Sequence, residues 1–215
     1  GERRWAARRL VACAGLQADR VARLGGLRPA FQVVPFRGEY HRLPPHRGDV
    51  VRHLVYPVPD PALPFLGVHL TPMVDGTVTV GPNAVLALAR EGYRKGAASL
   101  RDVAEYVRFP GLWRLGRRYW RTGLAEVRGS LLRRAYLDAV RRYCPELTVD
   151  DLLPHPGGVR AQAVLRDGTL VHDFLLEQTD RQLHVCNAPS PAATSALPIA
   201  DVVVARLLGT STTGQ

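Results

Sequence analysis

The sequence predicts a mixed α+β / α/β fold, in which α/β segments near the two ends enclose an antiparallel sheet and a block of helices. Residues 8–24 give a strand, a glycine and a helix in succession, and residues 183–208 give a strand, a tight turn and a helix. Residues 31–81 contain short β-type runs separated by prolines and an Asp-Gly pair, whereas residues 99–143 have helical spacing. The change of period along the chain predicts two kinds of structure.

Composition limits the class of protein. The 215 residues can bury a sizeable core, and 46% hydrophobic and 22% charged residues are ordinary for a globular protein. No run is long and uncharged enough for a membrane span, and the first residues lack a signal cleavage region, which predicts a cytoplasmic protein. Cys13, Cys144 and Cys186 are far apart, and the seven histidines lack metal-ligand spacing. We therefore expect reduced thiols and no metal.

The net charge of +10 is carried almost entirely by arginine, with Lys95 as the single lysine. Much of the excess lies in residues 90–142, where it could serve a solvated face, anionic lipid or nucleic acid. Trp113, Tyr119 and Trp120 lie among these arginines. Aromatic spacing on a helix is more often typical of a core, so we predict no nucleic-acid partner.

The first α/β segment is a strand over residues 8–15 that ends in Ala14 and Gly15. A helix follows over residues 16–24 and stops at Gly25. This order is typical of the nucleotide-facing edge of an α/β sheet, although the sequence contains no G-x-G-x-x-G motif.

The middle of the chain predicts an antiparallel sheet followed by helices. The predicted β runs are residues 31–43, 50–56, 66–71 and 77–81. The Asp75-Gly76 pair predicts a hairpin turn. Ser99, followed by Asp102, predicts a helix N-cap, and residues 99–143 predict two or three helices.

The last third predicts strands and a final helix. Residues 156–163 form a glycine-backed strand, Asp167-Gly168 a turn and residues 170–176 another strand. An apolar run over residues 183–186 then leads through a proline turn to a helix over residues 192–208. Small residues at the start of that helix would let an electron-rich group approach its backbone N–H groups, although an ordinary turn that binds nothing fits the same pattern.

Seven short motifs, taken together and in order, resemble one family. They are VACAGL at 11–16, VPFRGEY at 34–40, YPVPDP at 56–61, GVHLT at 67–71, VGPNA at 80–84, GVRAQ at 158–162 and NAPSPAATS at 187–195. The sequence from about residue 8 to 208 resembles the FAD-dependent L-2-hydroxyglutarate oxidase/dehydrogenase family of D-amino-acid-oxidase-like flavoproteins. Members begin with a strand, a G-x-G-x-x-G loop and a helix, so we expect this chain to be the C-terminal portion and inactive alone.

The resemblance implies a domain organisation and a cofactor. Residues 1–30 would be part of an incomplete three-layer FAD-binding domain, residues 31–150 an antiparallel substrate-binding domain with flanking helices, and residues 151–208 a return to the first domain. Residues 209–215 are predicted to be a disordered tail. The residues implied to contact FAD are Ala14, Gly15, Gly158, Pro189, Ser190, Ala193 and Thr194.

The implied reaction oxidises L-2-hydroxyglutarate to 2-oxoglutarate by hydride transfer to flavin N5. His69 is the candidate base, because it faces opposite to Val68 and Leu70 in a β run and imidazole accepts a proton near neutral pH. Arg160 is the candidate carboxylate clamp, because a guanidinium makes a planar bidentate pair. A structural histidine and a surface arginine are the alternative interpretations.

Further implied substrate contacts, for a small dicarboxylate, are Arg37, Tyr40, Tyr56 and Asn83. The electron acceptor is left open between oxygen and a quinone, and the basic helices leave open a peripheral contact with the inner face of the cell membrane. Two other functions also stay open. One is a non-catalytic basic module that binds anionic lipid or an acidic partner, and the other is a flavin oxidase acting on another 2-hydroxy acid or an amino acid.

Overall fold

The computed structural model describes residues 3–58, 67–189 and 192–209, and the chain divides into two compact units. The first unit comprises Gly1–Val33 and Ala161–Gln215, and the second comprises Val34–Arg160. The described strands and helices are, in chain order, β1 (Leu10–Ala12), α1 (Ala18–Leu24), β2 (Phe31–Arg42), β3 (His69–Pro72), β4 (Val78–Gly81), β5 (Val85–Leu86), α2 (Leu100–Arg108), α3 (Pro110–Leu131), α4 (Arg133–Val140), β6 (Leu153–Leu165), β7 (Leu175–Gln178), β8 (Gln182–Asn187) and α5 (Ala196–Leu208). Mixed α and β structure with antiparallel pairing confirms the predicted fold class.

The first unit is built on a sheet of three described strands in the order β1-β8-β7. β1 runs parallel to β8, and β7 runs antiparallel to it. The apolar residues of β8 are fully covered: Leu183 packs with Val203 of α5, whereas Cys186 packs with Ala18 of α1. β8 is the central strand of the three, with a helix packed on each face, which explains why it is apolar on both faces.

The second unit is built on five described strands, in the order β3-β4-β2-β5 with β6 beside β2. The predicted hairpin at Asp75-Gly76 is confirmed, because the Met73 N–H donates to the Thr77 carbonyl at 2.7 Å and Gly76 has a φ of 79°. Leu70 and His41 both pair with Val80, so these three side chains share one face of the sheet.

Helices α2, α3 and α4 confirm the prediction of two or three helices over residues 99–143. The Asp102 N–H donates to the Ser99 hydroxyl at 3.3 Å, which confirms the predicted N-cap. Tyr136, Leu137 and Val140 of α4 pack in the core of the second unit with residues of the sheet. No helix within the described ranges is long and apolar enough to cross a membrane.

Two predicted strands are shorter than expected. Residues 50–56 contribute a single bridge, from Val55 to Leu70, and proline at position 57 cannot donate to a longer ladder. In the predicted strand over residues 170–176, the Asn187 side-chain amide donates to the carbonyls of Val171 (3.1 Å) and Asp173 (2.8 Å). Because a side chain takes these acceptors, regular pairing begins only at Leu175.

The final helix begins at Ala196, four residues later than predicted, because residues 192–195 form a turn. Apart from Gly209, the predicted disordered tail over residues 209–215 lies outside the described residues.

The two units meet in sequence after Val33 and after Arg160, which differs from the predicted boundaries after residues 30 and 150. The second difference arises because β6 pairs with β2. A Cβ on Gly157 would lie 2.7 Å from the Gly38 carbonyl oxygen, so a glycine is needed for this close backbone approach. The assignment of the units to FAD and substrate binding stays a prediction.

Candidate active site

His69 occupies the first position of β3 and its ring is held on two sides. Its Nδ1 lies 3.3 Å from the Gly67 carbonyl oxygen. A carbonyl can only accept, so Nδ1 carries the proton and Nε2 carries the lone pair in the neutral ring. The ring stacks on Tyr56, with centroids 4.3 Å apart and planes at 21°. His69 can therefore present a proton-accepting Nε2 in a fixed plane.

Partial burial favours the neutral form of the His69 imidazole. Burial lowers the pKa of His69, and the Gly67 hydrogen bond offsets only part of that shift. A general base must be unprotonated to act, so a lowered pKa extends the range of pH in which His69 can accept a proton.

By the strand register, Tyr40 lies on the same face of the sheet as this histidine, two strands away. Its Cδ1 is 3.1 Å from the position of a Cβ on Gly81, and Gly81 is the cross-strand partner of His69. Burial, followed by the nearby Tyr56, raises the pKa of Tyr40. The phenol therefore stays protonated and can donate a hydrogen bond. We call Tyr40, Tyr56 and His69 the aromatic group.

Arg37 lies on the opposite face of β2, together with Glu39 and His41. Its Nη2 donates to Glu39 Oε1 at 2.8 Å, and its Nη1 donates to the Arg94 carbonyl at 3.3 Å. The side chain is 9% exposed, and its Nε has no hydrogen-bond partner among the described residues. Arg37 is therefore a buried, mostly paired cation and does not contact the aromatic group through these bonds.

Glu39 is the centre of a polar cluster that sequence reasoning missed. Its carboxylate accepts from Arg37, from the Ser130 hydroxyl at 2.8 Å and from Asn83 Nδ2 at 3.4 Å, while its own N–H donates to Asn83 Oδ1 at 2.8 Å. Lys95 Nζ lies 3.9 Å away. Both the oxygen and the nitrogen of the Asn83 side-chain amide are thus hydrogen-bonded to Glu39. The Arg37-x-Glu39 spacing places opposite charges on one strand face, and that signal could have identified the pair.

Arg160 and Gly158 lie two residues apart on β6, so their positions share a face of that strand. Arg160 is exposed as a whole residue, yet partial burial of its guanidinium lowers its pKa. Among the described residues, no atom lies within 4 Å of the place where a Cβ on Gly158 would stand. This combination leaves room for a flat ligand beside the strand.

In the first unit, Ala14 and Gly15 lie in the short turn between β1 and α1. Gly15 has a φ of 49°, and no atom of residues 3–58, 67–189 or 192–209 lies within 4 Å of the place where a Cβ would stand at this position. Any other residue would be strained here and would fill the open space. These two features fit the expected approach of a dinucleotide to the backbone.

The second expected cofactor segment follows β8. Asn187 ends that strand and its Oδ1 accepts from the Ala163 N–H at 3.2 Å, which fixes the start of the turn. Pro189 is half-buried, Ala193 and Thr194 lie in the turn before α5, and Ser190 lies outside the described residues. Ser195 does not cap α5 with its side chain. Ala196 and Leu197 carry the first-turn N–H groups that Ser195 leaves uncapped, because residue 198 is a proline and has no N–H. The contact of this segment with a flavin edge stays a prediction.

The second unit also contains a cavity of about 960 Å³ beside α3 and α4, lined by Glu126, Tyr136 and Tyr143 among others. Of the predicted substrate contacts in the described chain, only Asn83 lines it. Burial raises the pKa of Glu126, which accepts from the Ala84 N–H at 2.8 Å. No cluster of three or more His, Cys, Asp or Glu side chains within the described ranges is arranged to hold a metal ion.

The chain matches known proteins over nearly all of its length. The profile of the family described as FAD dependent oxidoreductase matches residues 1–206. The chain is 56% identical over 198 residues to an L-2-hydroxyglutarate dehydrogenase of Salmonella houtenae, covering 92% of this chain and 47% of that protein. It is 44% identical over 199 residues to the mitochondrial L-2-hydroxyglutarate dehydrogenase of Homo sapiens, covering 90% and 43%.

A solved structure gives the same fold. Dithionite-reduced L-alpha-glycerophosphate oxidase from Mycoplasma pneumoniae with FAD bound aligns with a TM-score of 0.61 at 19% identity, covering 96% of this chain and 44% of that one. The chain thus spans about half the length of the curated relatives it matches. On these matches, the chain belongs to the FAD dependent oxidoreductase family.

Proposed function

We propose that the protein containing this chain oxidises L-2-hydroxyglutarate to 2-oxoglutarate, with FAD as its cofactor. The observation that carries the proposal is the identity of 44% to 56%, over at least 90% of the chain, to relatives named L-2-hydroxyglutarate dehydrogenase. The family match and the neutral histidine of the aromatic group support it.

In this proposal the residues of the first unit hold FAD. Ala14 and Gly15 allow the backbone to approach the dinucleotide, while Pro189, Ser190, Ala193 and Thr194 border the ring. Gly158 stays a proposed ring contact because of the open space at its Cβ position. Bound FAD supplies the hydride acceptor. The uncapped first turn of α5 stabilises negative charge on the group it faces.

His69 is the proposed base. Nε2 takes the proton of the substrate hydroxyl, while Nδ1–H stays bonded to the Gly67 carbonyl and keeps the tautomer. Tyr56 holds the ring plane by stacking. The hydroxyls of Tyr40 and Tyr56 are the proposed hydrogen-bond donors for a substrate carboxylate, and the raised pKa of Tyr40 keeps its phenol protonated.

Arg160 is the proposed carboxylate clamp. Arg37 and Asn83 were predicted as direct contacts, and their bonds to Glu39 favour a supporting role in which they fix β2 and the segment before β5. In the described part of the chain, Nε is the one nitrogen of the Arg37 guanidinium without a partner, so a direct bond to substrate stays part of the proposal.

We place the protein in the cytoplasm, in peripheral contact with the inner face of the cell membrane, with oxygen or a quinone as the electron acceptor. The buried free thiols Cys144 and Cys186 fit a reducing compartment, and burial raises the pKa of Cys186 to about 11, which makes it unreactive.

Replacing Arg160 with methionine is expected to raise KM for L-2-hydroxyglutarate by roughly tenfold to a hundredfold, because the loss of a charge-assisted bidentate pair costs about 1.5 to 3 kcal/mol. In this proposal Arg160 holds the second carboxylate, which L-2-hydroxybutyrate lacks, so KM for that acid is expected to change less. Steady-state assays of the FAD-bound protein with both acids give the two ratios.

Arg52→Met is the matched control, because Arg52 is also an exposed arginine of the second unit. An unchanged KM in Arg160→Met would remove Arg160 from the clamp role. A kcat/KM for L-2-hydroxybutyrate equal to that for L-2-hydroxyglutarate would contradict the proposed substrate.

A further inference from the structure

Tyr40 lies in a segment of β2 that falls between two strand ladders. β4 pairs with β2 at residues 41–42, and β5 pairs with it at residues 36–37. Residues 38–40 are in neither of these described registers, and they lie where the chain passes from β4 to β5. The backbone that carries Tyr40 therefore depends on other contacts at this junction.

Two side chains supply hydrogen bonds to the backbone there. The Glu39 N–H donates to Asn83 Oδ1 at 2.8 Å. The Glu39 carbonyl oxygen lies 3.2 Å from the Tyr136 hydroxyl, whose single hydrogen it shares with the Val80 carbonyl at 3.0 Å. That carbonyl belongs to the planar peptide group that joins Glu39 to Tyr40. Holding both polar groups of the Glu39 backbone therefore restricts the direction in which the Tyr40 side chain leaves the strand.

The Glu39 carboxylate joins this backbone to other parts of the second unit. It accepts from Asn83 Nδ2 at 3.4 Å, from the Ser130 hydroxyl near the end of α3 at 2.8 Å and from Arg37 Nη2 at 2.8 Å. Lys95 Nζ lies 3.9 Å from it. The Glu39 side chain is only 15% exposed, so water competes weakly for these bonds. We call Arg37, Glu39, Asn83, Lys95 and Ser130 the Glu39 cluster.

The Glu39 carboxylate and the Tyr40 phenol lie on opposite faces of β2, because side chains alternate along a strand. His41, the next residue on the Glu39 face, contacts Tyr136 with ring centroids 4.5 Å apart, so α4 covers this face. A ligand beside Tyr40 would lie on the other face. Any influence of Glu39 on that ligand therefore has to pass through the backbone of β2.

We propose that Glu39 is a positioning residue, which holds the backbone of residues 39–40 so that the Tyr40 hydroxyl is directed at the substrate carboxylate. The inference rests on the proposed function for the contact between Tyr40 and the substrate. The alternative is an ion pair that only stabilises the second unit. Arg90 and Glu105 form such a pair at 3.2 Å, with the arginine buried, and they provide the comparison.

Replacing Glu39 with glutamine in the FAD-bound protein tests the positioning role. Glutamine has nearly the same shape but no charge for Arg37, so the bonds that hold β2 weaken. KM for L-2-hydroxyglutarate is expected to rise by roughly tenfold, because the Tyr40 hydrogen bond to a charged group is misdirected. A loss of binding alone leaves kcat within about twofold of the parent value. The acid limb of the pH profile is expected to stay in place, because His69 is unchanged.

A double variant separates an effect through Tyr40 from any other effect. Tyr40→Phe alone is expected to raise KM by roughly tenfold or more, because the hydroxyl is lost. Glu39→Gln added to Tyr40→Phe is expected to raise KM by a further factor of about two or less, since the hydroxyl that Glu39 directs is already absent. Independent effects would instead multiply, to roughly a hundredfold.

Glu105→Gln is the matched control, because it also removes a carboxylate from a buried arginine of the second unit. Urea unfolding is expected to show a loss of stability in both glutamine variants. KM is expected to change only in Glu39→Gln.

Ser130→Ala is a milder variant that decides the question if Glu39→Gln does not fold. It removes one donor to the Glu39 carboxylate and leaves the charge pair with Arg37 in place. KM is expected to rise by roughly threefold with kcat unchanged, since a single neutral donor is lost.

A fluorine label reports on Tyr40 without turnover. The seven tyrosines are replaced by 3-fluorotyrosine, and Tyr40→Phe identifies the Tyr40 resonance by its absence. Glu39→Gln is expected to move that resonance in the ligand-free protein, whereas Glu105→Gln is not. Calorimetry with 2-oxoglutarate, the proposed product, is expected to give a Kd raised by roughly tenfold in Glu39→Gln and unchanged in Glu105→Gln.

Equal KM values for Glu39→Gln and Glu105→Gln, multiplied effects in the double variant, or a Tyr40 resonance that Glu39→Gln leaves in place would each overturn the inference. A parent protein that does not oxidise L-2-hydroxyglutarate would instead contradict the proposed function. The fluorine resonance of the ligand-free protein still measures the hold of Glu39 on Tyr40 in that case, so the two failures are distinguishable.

Discussion

Replacing His69 with alanine in the FAD-bound protein is expected to lower kcat for L-2-hydroxyglutarate by roughly a hundredfold to ten-thousandfold. The reason is that burial lowers the pKa of His69 and keeps its proton-accepting nitrogen free, whereas the phenol of Tyr40 has a raised pKa and stays protonated. The flavin absorbance of the purified variant is expected to match that of the parent, because His69 is assigned no cofactor contact.

The pH profile separates a base from a merely structural histidine. Burial lowers the pKa of His69, so the imidazole is neutral and active above that pKa and becomes protonated as the pH falls through it. We therefore expect kcat/KM to fall on the acid side, with an apparent pKa below the usual value of about 6.5, and His69→Ala to lack this limb. His172→Ala, at an exposed histidine of the first unit, is the control. Near-normal turnover of His69→Ala would exclude His69 as the base.

Replacing Arg90 with methionine is expected to destabilise the protein by about 3 kcal/mol. Arg90 is 1% exposed, and its Nη2 lies 3.2 Å from Glu105 Oε2, while its backbone N–H donates to the buried Asp102 carboxylate at 2.8 Å. Methionine would remove the buried cation and leave these carboxylates with less compensation. Urea unfolding measures the loss.

Arg101→Met is the matched control for Arg90. Arg101 also pairs with Glu105, at 3.4 Å, but its side chain is 76% exposed. Water screens such a pair, so the expected change in the free energy of unfolding is about 0.5 kcal/mol or less. Equal decreases in the free energy of unfolding for the two variants would contradict the importance of burial at Arg90.

Features fixed by neighbouring residues could be predicted from the sequence. The Ser99 cap and the Asp75-Gly76 hairpin each depend on side chains and turns only two to four residues apart, and both are present. The alternation of residues along a strand predicted that His69 faces away from Val68 and Leu70. Leu70 is buried in the core.

Features that depend on distant contacts could not be predicted. Glu39 meets Asn83 and Ser130, which lie 44 and 91 residues away along the chain, and local pattern carries no signal for such pairings. The late start of β7 follows from the Asn187 amide, a side chain beyond the strand itself. The same limit applies to the stack of His69 on Tyr56, because the two residues belong to different segments of the fold.

The most direct test of the central claim is anaerobic mixing of the FAD-bound protein with L-2-hydroxyglutarate, followed by the flavin absorbance and by the yield of 2-oxoglutarate. We predict loss of the oxidised flavin band, one 2-oxoglutarate formed for each flavin reduced, and no reduction by the D enantiomer over the same time. An oxidised flavin that does not respond to L-2-hydroxyglutarate, or one that another 2-hydroxy acid or an amino acid reduces faster, would contradict the account.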